Sequence, residues 1–161
     1  MIAVDVGYGQ LDWSLRTDPR VHVLERTNVR TLRVEDLPWQ PDAAVGDLSF
    51  ISLRLVLPPL TRIVPEEGDL LLLVKPQFEV GKESVGRGGV VRDPALWRSS
   101  MQGVVTAAEG LGWGLVGTSL SDLQGPAGNR EFFVHLQKGH DSEMESIERA
   151  IAAVAGPHST A

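Results

Sequence analysis

The sequence predicts an α/β protein built on a mostly parallel sheet, with an antiparallel strand at its C-terminal end. Three observations carry that expectation. Short apolar runs alternate with longer polar or amphipathic stretches, which is the rhythm of successive β–α units. The run Leu70-Leu71-Leu72-Leu73-Val74 is apolar throughout, as a strand covered on both faces must be. The last two apolar runs are joined by a connection too short for a crossover helix, so they should pair antiparallel.

The elements follow in order. Residues 2–6 read as a strand, then Gly7-Tyr8-Gly9, then a short helix near residues 10–16 that Asp18-Pro19 ends. Residues 21–25 form the next strand. Residues 43–46 are apolar and stop at Asp47, and residues 50–57 look helical up to Pro58-Pro59. Residues 70–74 end at Lys75-Pro76. From 81 to 92 the composition turns to glycine, serine and charge, as in an exposed loop. Asp93-Pro94 supplies an N-cap with proline in the first turn, opening a helix that should run to about Gly110. Residues 112–119 and 131–137 read as strands joined by the turn-rich Gln124-Gly125-Pro126-Ala127-Gly128-Asn129. Residues 142–154 close the chain as a helix, and residues 156–161 read as a flexible tail.

A chain of 161 residues fits one domain with a real core. The hydrophobic share is 42% and the charged share 22%, as in soluble proteins. No apolar run reaches the roughly 18 residues of a membrane span. Met1-Ile2-Ala3-Val4-Asp5 lacks a basic signal-peptide start. With no cysteine, disulfides and thiolate metal sites are excluded. The four histidines lack metal-ligand spacing, so no metal is expected. These features fit a cytoplasmic protein. The formal charge of -6 means that any nucleic-acid affinity must come from a local patch, another domain or a partner.

In open α/β sheets, ligands bind outside the carboxyl ends of the strands. Those ends carry Asp5, Glu25, Asp47 and Lys75, four ionisable groups in succession. Further along, Lys82, Arg87, Arg92 and Arg98 offer a basic rim for RNA phosphates, with Trp97 or Phe78 available for stacking. The plain alternative for that run is a solvated loop.

Longer strings are more specific. Val4-Asp5-Val6-Gly7-Tyr8-Gly9-Gln10-Leu11, Glu25-Arg26-Thr27-Asn28, Asp47-Leu48-Ser49-Phe50-Ile51-Ser52-Leu53, Val74-Lys75-Pro76-Gln77-Phe78-Glu79-Val80-Gly81-Lys82 and Gly88-Gly89-Val90-Val91-Arg92-Asp93-Pro94 occur in order. Together they resemble the haemolysin-A (TlyA) family of ribosomal RNA 2'-O-methyltransferases, similar to the FtsJ/RrmJ type. The likeness runs over nearly the whole chain and is weakest after Lys138.

The resemblance implies a Rossmann-like S-adenosylmethionine-dependent methyltransferase fold lacking its first strand, with residues 1–155 a partial FtsJ-like domain. It implies a Lys-Asp-Lys-Glu tetrad whose aspartate is Asp47, second lysine Lys75 and glutamate Glu131. Asp5 should face the cofactor's ribose hydroxyls and the Glu25 to Asn28 segment its adenine. Asp5, Glu25, Asn28 and Asp47 are thus the expected cofactor contacts. The family's glycine-rich cofactor loop, first tetrad lysine and S4-type RNA-binding domain would all lie upstream of Met1. Gly7-Tyr8-Gly9 does not replace that loop, because a dinucleotide fingerprint wants a third glycine where Asp12 stands.

The implied reaction is an in-line displacement from a sulfonium ion, needing alignment of reactants and removal of a weakly acidic proton. Lysine serves as the base only when its pKa, about 10.4 unperturbed, is lowered. Lys75 left between two carboxylates would instead be held as the ammonium, so impaired turnover is expected of this chain. The partner implied is ribosomal RNA or a ribosomal subunit, with no membrane; neither the nucleotide nor the oligomeric state is specified. The alternatives are a non-catalytic remnant acting as an RNA- or ribosome-binding module, a cytolysin, and a small-molecule methyltransferase of the same fold. In the family's fold the first strand pairs on both sides in mid-sheet. Without it, backbone groups costing roughly 1–3 kcal/mol each go unpaired, against a usual margin of about 5–15 kcal/mol. Marginal stability follows.

Overall fold

A computed structural model describes residues 1–154; the expected tail at 156–161 lies outside the described residues. Its centre is β4 (Asp69–Val74). Leu70, Leu72 and Val74 are fully buried, Leu73 nearly so, and Leu71 is partly exposed. Strand β3 (Ala43–Gly46) pairs parallel to β4 on one side. Strand β6 (Phe132–Lys138) pairs antiparallel on the other, and β5 (Trp113–Leu120) lies outside β6. The order is β3-β4-β6-β5, so β6 is the one reversed strand of this sheet. Its hairpin-length link to β5 forces that reversal.

Helix α4 (Pro94–Glu109) begins where the sequence placed it. The Asp93 carboxylate accepts the Ala95 amide, Pro94 occupies the first turn, and Gly110 caps the end. Trp97, Met101, Val104, Val105 and Ala108 recur at helical spacing and are buried. Helix α5 (Glu145–Val154) packs on β5 and α4 and buries Ile147 and Ala150.

Several elements differ from expectation. Pro58-Pro59 does not end a helix; it opens α2 (Leu57–Ile63), because the first turn needs no amide donors. Only a 3₁₀ turn, Leu53–Leu55, precedes it. Pro76 likewise opens a short helix, α3 (Pro76–Glu79), that the sequence reading missed. The 81–92 segment contains two 3₁₀ turns, and Val90 and Val91 at its end are buried. The two buried valines anchor a loop whose glycines and charges face solvent.

The N-terminal part stands apart. Strands β1 (Ile2–Val4) and β2 (His22–Leu24) form a separate parallel pair, and α1 (Trp13–Arg16) lies between them in sequence. Among the buried hydrophobic residues, Leu32 alone precedes Leu53. Strands β1 and β3 are not hydrogen-bonded to each other. They flank a cleft of about 560 Å³ lined by Ile2, Val4, Val29, Leu37, Trp39 and Val45. The strands therefore form two sheets, β1-β2 and β3-β4-β6-β5, with this cleft between β1 and β3.

Candidate active site

Two loops meet at the carboxyl ends of β3 and β4. The β3 strand ends at Gly46, and residues 47–52 follow as a loop. Strand β4 ends at Val74, and Lys75 is the N-cap of α3. Lys75 is 12% exposed and reaches across, with its ammonium 2.6 Å from Asp47 Oδ1. The same nitrogen donates to Ser49 Oγ at 3.1 Å. From the other side comes Glu131, the residue before β6, whose Oε1 lies 3.9 Å from Lys75 Nζ. Asp47 is largely open to solvent and Glu131 is buried. The lysine thus bridges a wet carboxylate and a dry one.

Glu131 Oε1 is buried and accepts no hydrogen bond. A carboxylate oxygen in that state is costly and calls for a donor. Its position depends on Gly125, where a Cβ would stand 2.6 Å from that oxygen. Buried Asn129 holds the surrounding turn, accepting the Val91 amide and donating to the Gly89 carbonyl, both at 2.9 Å.

The sequence reading passed over Ser49, Phe50 and Glu79. Phe50 is 91% exposed with φ of +63°, a strained backbone for a non-glycine residue. Its ring lies 5.2 Å from that of Phe78. Ser49 and Phe50 adjoin Asp47 in one string, which was the available signal. Glu79 shares a string with Lys75 in the same way, but one glutamate there looks like surface.

A second cleft of about 330 Å³ opens at the ends of β1, β2 and β3, where Asp5, Glu25 and Asp47 line it together with Gln10, Leu11 and Leu48. Asp5 accepts the Gly7 amide at 2.6 Å. Glu25 is paired bidentately with Arg16 at 2.8 and 2.6 Å and also accepts the Gly9 amide. The Arg16 guanidinium holds the Glu25 carboxyl below its ordinary value. Asn28 caps the turn Val29–Thr31 and is not among the cleft's lining residues.

Of the basic run, Lys82, Arg87 and Arg92 are exposed. Arg98 is paired with Glu148 of α5 at 2.5 and 2.7 Å. Trp97 is not available for stacking: it is buried against Phe132, and its indole donates to the Val91 carbonyl. Among the described residues no three His, Asp or Glu side chains are arranged to hold a metal, and no helix is long and apolar enough to cross a membrane.

The FtsJ-like methyltransferase family model matches residues 1–138. The chain is 50% identical, over 94% of its length, to the 16S/23S rRNA (cytidine-2'-O)-methyltransferase TlyA of Mycobacterium tuberculosis, and covers 59% of that protein. It thus spans about three fifths of that curated relative. Among solved structures, a hemolysin-type protein from Lactococcus lactis superposes with a TM-score of 0.90 at 39% identity, over 96% of this chain and 76% of the other. A SAM-dependent methyltransferase from Methanosarcina mazei shares the fold at a TM-score of 0.56 and 13% identity, over 85% of this chain and 81% of the other.

Proposed function

Since the chain belongs to the FtsJ-like methyltransferase family, we propose that Asp47, Lys75 and Glu131 are the ribose-facing part of a site that methylates 2'-hydroxyls of ribosomal RNA. One observation carries this reading. Lys75 stands beside the buried, unpartnered Oε1 of Glu131, and a donor arriving there satisfies the orphaned oxygen. A ribose hydroxyl is such a donor, and one with a proton to lose.

Each residue then has a task. Glu131 accepts the hydroxyl hydrogen and orients the oxygen. As the oxygen attacks the methyl group, that one proton passes from the hydroxyl to Lys75, a step open only to Lys75 in its neutral amine form, which thereby becomes the ammonium; Asp47 and Ser49 aim its nitrogen. S-adenosylmethionine, when bound, would supply an electrophilic methyl group. The cleft at the ends of β1, β2 and β3 suits it: its size is within the usual range for small-ligand sites, and it continues to Asp47. Asp5 and Asp47 are the exposed carboxylates that would meet polar groups there. Glu25, already saturated by Arg16 and Gly9, would shape the wall. The exposed Phe50, beside Phe78, offers a base a stacking surface. Lys82, Arg87 and Arg92 would meet phosphates, with Arg98 recruited only at the expense of its Glu148 pair.

The test uses methyl-labelled cofactor and ribosomal RNA, with digestion to nucleosides and mass spectrometry of the product. Label on the ribose 2'-oxygen is expected, lowered about 10²- to 10⁴-fold in Lys75→Ala. Label on a base, or an unaffected Lys75→Ala, would remove the proposal. RNA binding without saturable cofactor binding would favour the non-catalytic remnant. The expected impairment is tested in the same assay, since turnover equal to that of a full-length relative contradicts it.

A further inference from the structure

Glu79 is buried at the last position of α3, four residues after Lys75. Its Oε1 accepts the Leu53 amide and its Oε2 the Ser52 hydroxyl, each at 2.7 Å. Arg54 covers it, with Nε 3.3 Å from Oε2 and Nη2 donating to the Glu79 carbonyl at 2.8 Å. These bonds fasten the far end of the 47–53 segment to the turn that begins at Lys75. The near end is fastened to the same turn by Lys75 itself, through Asp47 and Ser49. One loop is therefore pinned at both ends to one short helix and its cap. The strained Phe50 sits between the pins, and strain of that kind persists only where neighbouring contacts hold it.

A carboxylate is a poor choice for packing alone. Burial raises Glu79 above its ordinary 4.5 despite its hydrogen bonds and Arg54, and a well-packed apolar group would avoid that cost. What an apolar group cannot do is hold Ser52 and Leu53 by directed hydrogen bonds.

We propose that Glu79, with Arg54, is a positioning residue that fixes the 47–53 loop so that Asp47 and Ser49 stay on the Lys75 nitrogen. Its bearing on catalysis rests on the reading of Lys75 as the reacting group; the mechanical coupling does not.

The chain has only three lysines, Lys75, Lys82 and Lys138, so acylation by a water-soluble amine reagent can be followed at each by mass spectrometry. Under native conditions Glu79→Ala should speed labelling of Lys75 relative to exposed Lys82 by about fivefold, the upper range for loss of one ion pair. Asp47→Asn should do the same, and the double variant should add little more, because both act on one contact. Glu79→Gln keeps an acceptor in place and should lie between Glu79→Ala and the wild type. Should Glu79→Ala fail to fold, Ser52→Ala cuts the same latch from the loop side. Unchanged Lys75 labelling in folded Glu79→Gln and Ser52→Ala, or full additivity with Asp47→Asn, would overturn the inference. Labelling needs no turnover, so a chain that places methyl label on a base yet still couples Glu79 to Lys75 would sink the functional reading and leave this one standing.

Discussion

At Gly125 a single methyl group would disturb the site and spare the core. The atom a Cβ would meet, 2.6 Å away, is Glu131 Oε1, the free end of a side chain that can turn aside. Gly125→Ala should therefore melt close to the wild type while its carboxylate leaves Lys75. A displacement of about 1 Å at a reacting group costs about 10²-fold in rate, so methyl transfer should fall by that order; unchanged transfer would mean Glu131 is not in place for the reaction. A different kind of effect belongs to Asp69. His135 Nε2 lies 2.6 Å from its Oδ1, and Gln137 donates to the same oxygen at 2.7 Å. These hydrogen bonds hold the carboxyl below its ordinary 3.8. Such a group binds fewer protons folded than unfolded, so its stabilisation is present above its unfolded value and lost as pH falls through its folded one. The stability gap between wild type and Asp69→Asn, from urea midpoints, should shrink on acidification below the unfolded value. A gap that widens would reverse the sign argued here.

Among the elements, the β5–α5 junction is where the backbone leaves least room. A Cβ on Gly114 would lie 1.8 Å from the His140 carbonyl oxygen and 2.7 Å from its carbon. Unlike Glu131, that obstacle is main chain, held where Gly139 N donates to Gly112 O and Glu143 N to Leu115 O, both at 2.8 Å. Gly114→Ala should cost about 3 kcal/mol or more, read as a lowered denaturation midpoint; a neutral outcome would show that the turn before α5 gives way freely. Element ends also separate what local sequence decides from what packing decides. Asp93-Pro94 marked the start of α4 because a cap and a first-turn proline act through neighbouring atoms. Pro58-Pro59 was misread because a proline pair is compatible with either the end of one helix or the first turn of the next. Trp97, expected to offer stacking, faces the core because Phe132 comes to it from a distant segment and the carbonyl of Val91, six residues earlier, accepts its indole N–H.

For the whole molecule, the uneven core sets the expected dynamics. Strands β4 and β6 lie in a continuous apolar interior, whereas β1 and β2 contain no fully buried residue and border a cleft. Local stability follows buried apolar contact. Hydrogen exchange followed by mass spectrometry should therefore show β1 and β2 opening well before β4 and β6, with modest overall stability. Uniform protection across both sheets would contradict this.

The amino-acid order by itself determined the alternation of strands and helices, the caps of α4, the reversal of the last strand and the residues at strand ends, because each depends on neighbours in the chain. The family strings contain Asp47 and Lys75, the resemblance added Glu131 as the tetrad's glutamate, and the fold places all three within one ion-pair cluster. Only the tertiary structure decided that Ser49 joins them, that Gly125 makes room for Glu131, that Glu79 ties the loop down and that Arg98 and Glu25 are already paired. The contacts of Ser49, Glu79 and Arg98 join residues 26 or more apart in sequence, and even the nearer pairs, Gly125 with Glu131 and Arg16 with Glu25, owe their burial and choice of partner to the packed fold.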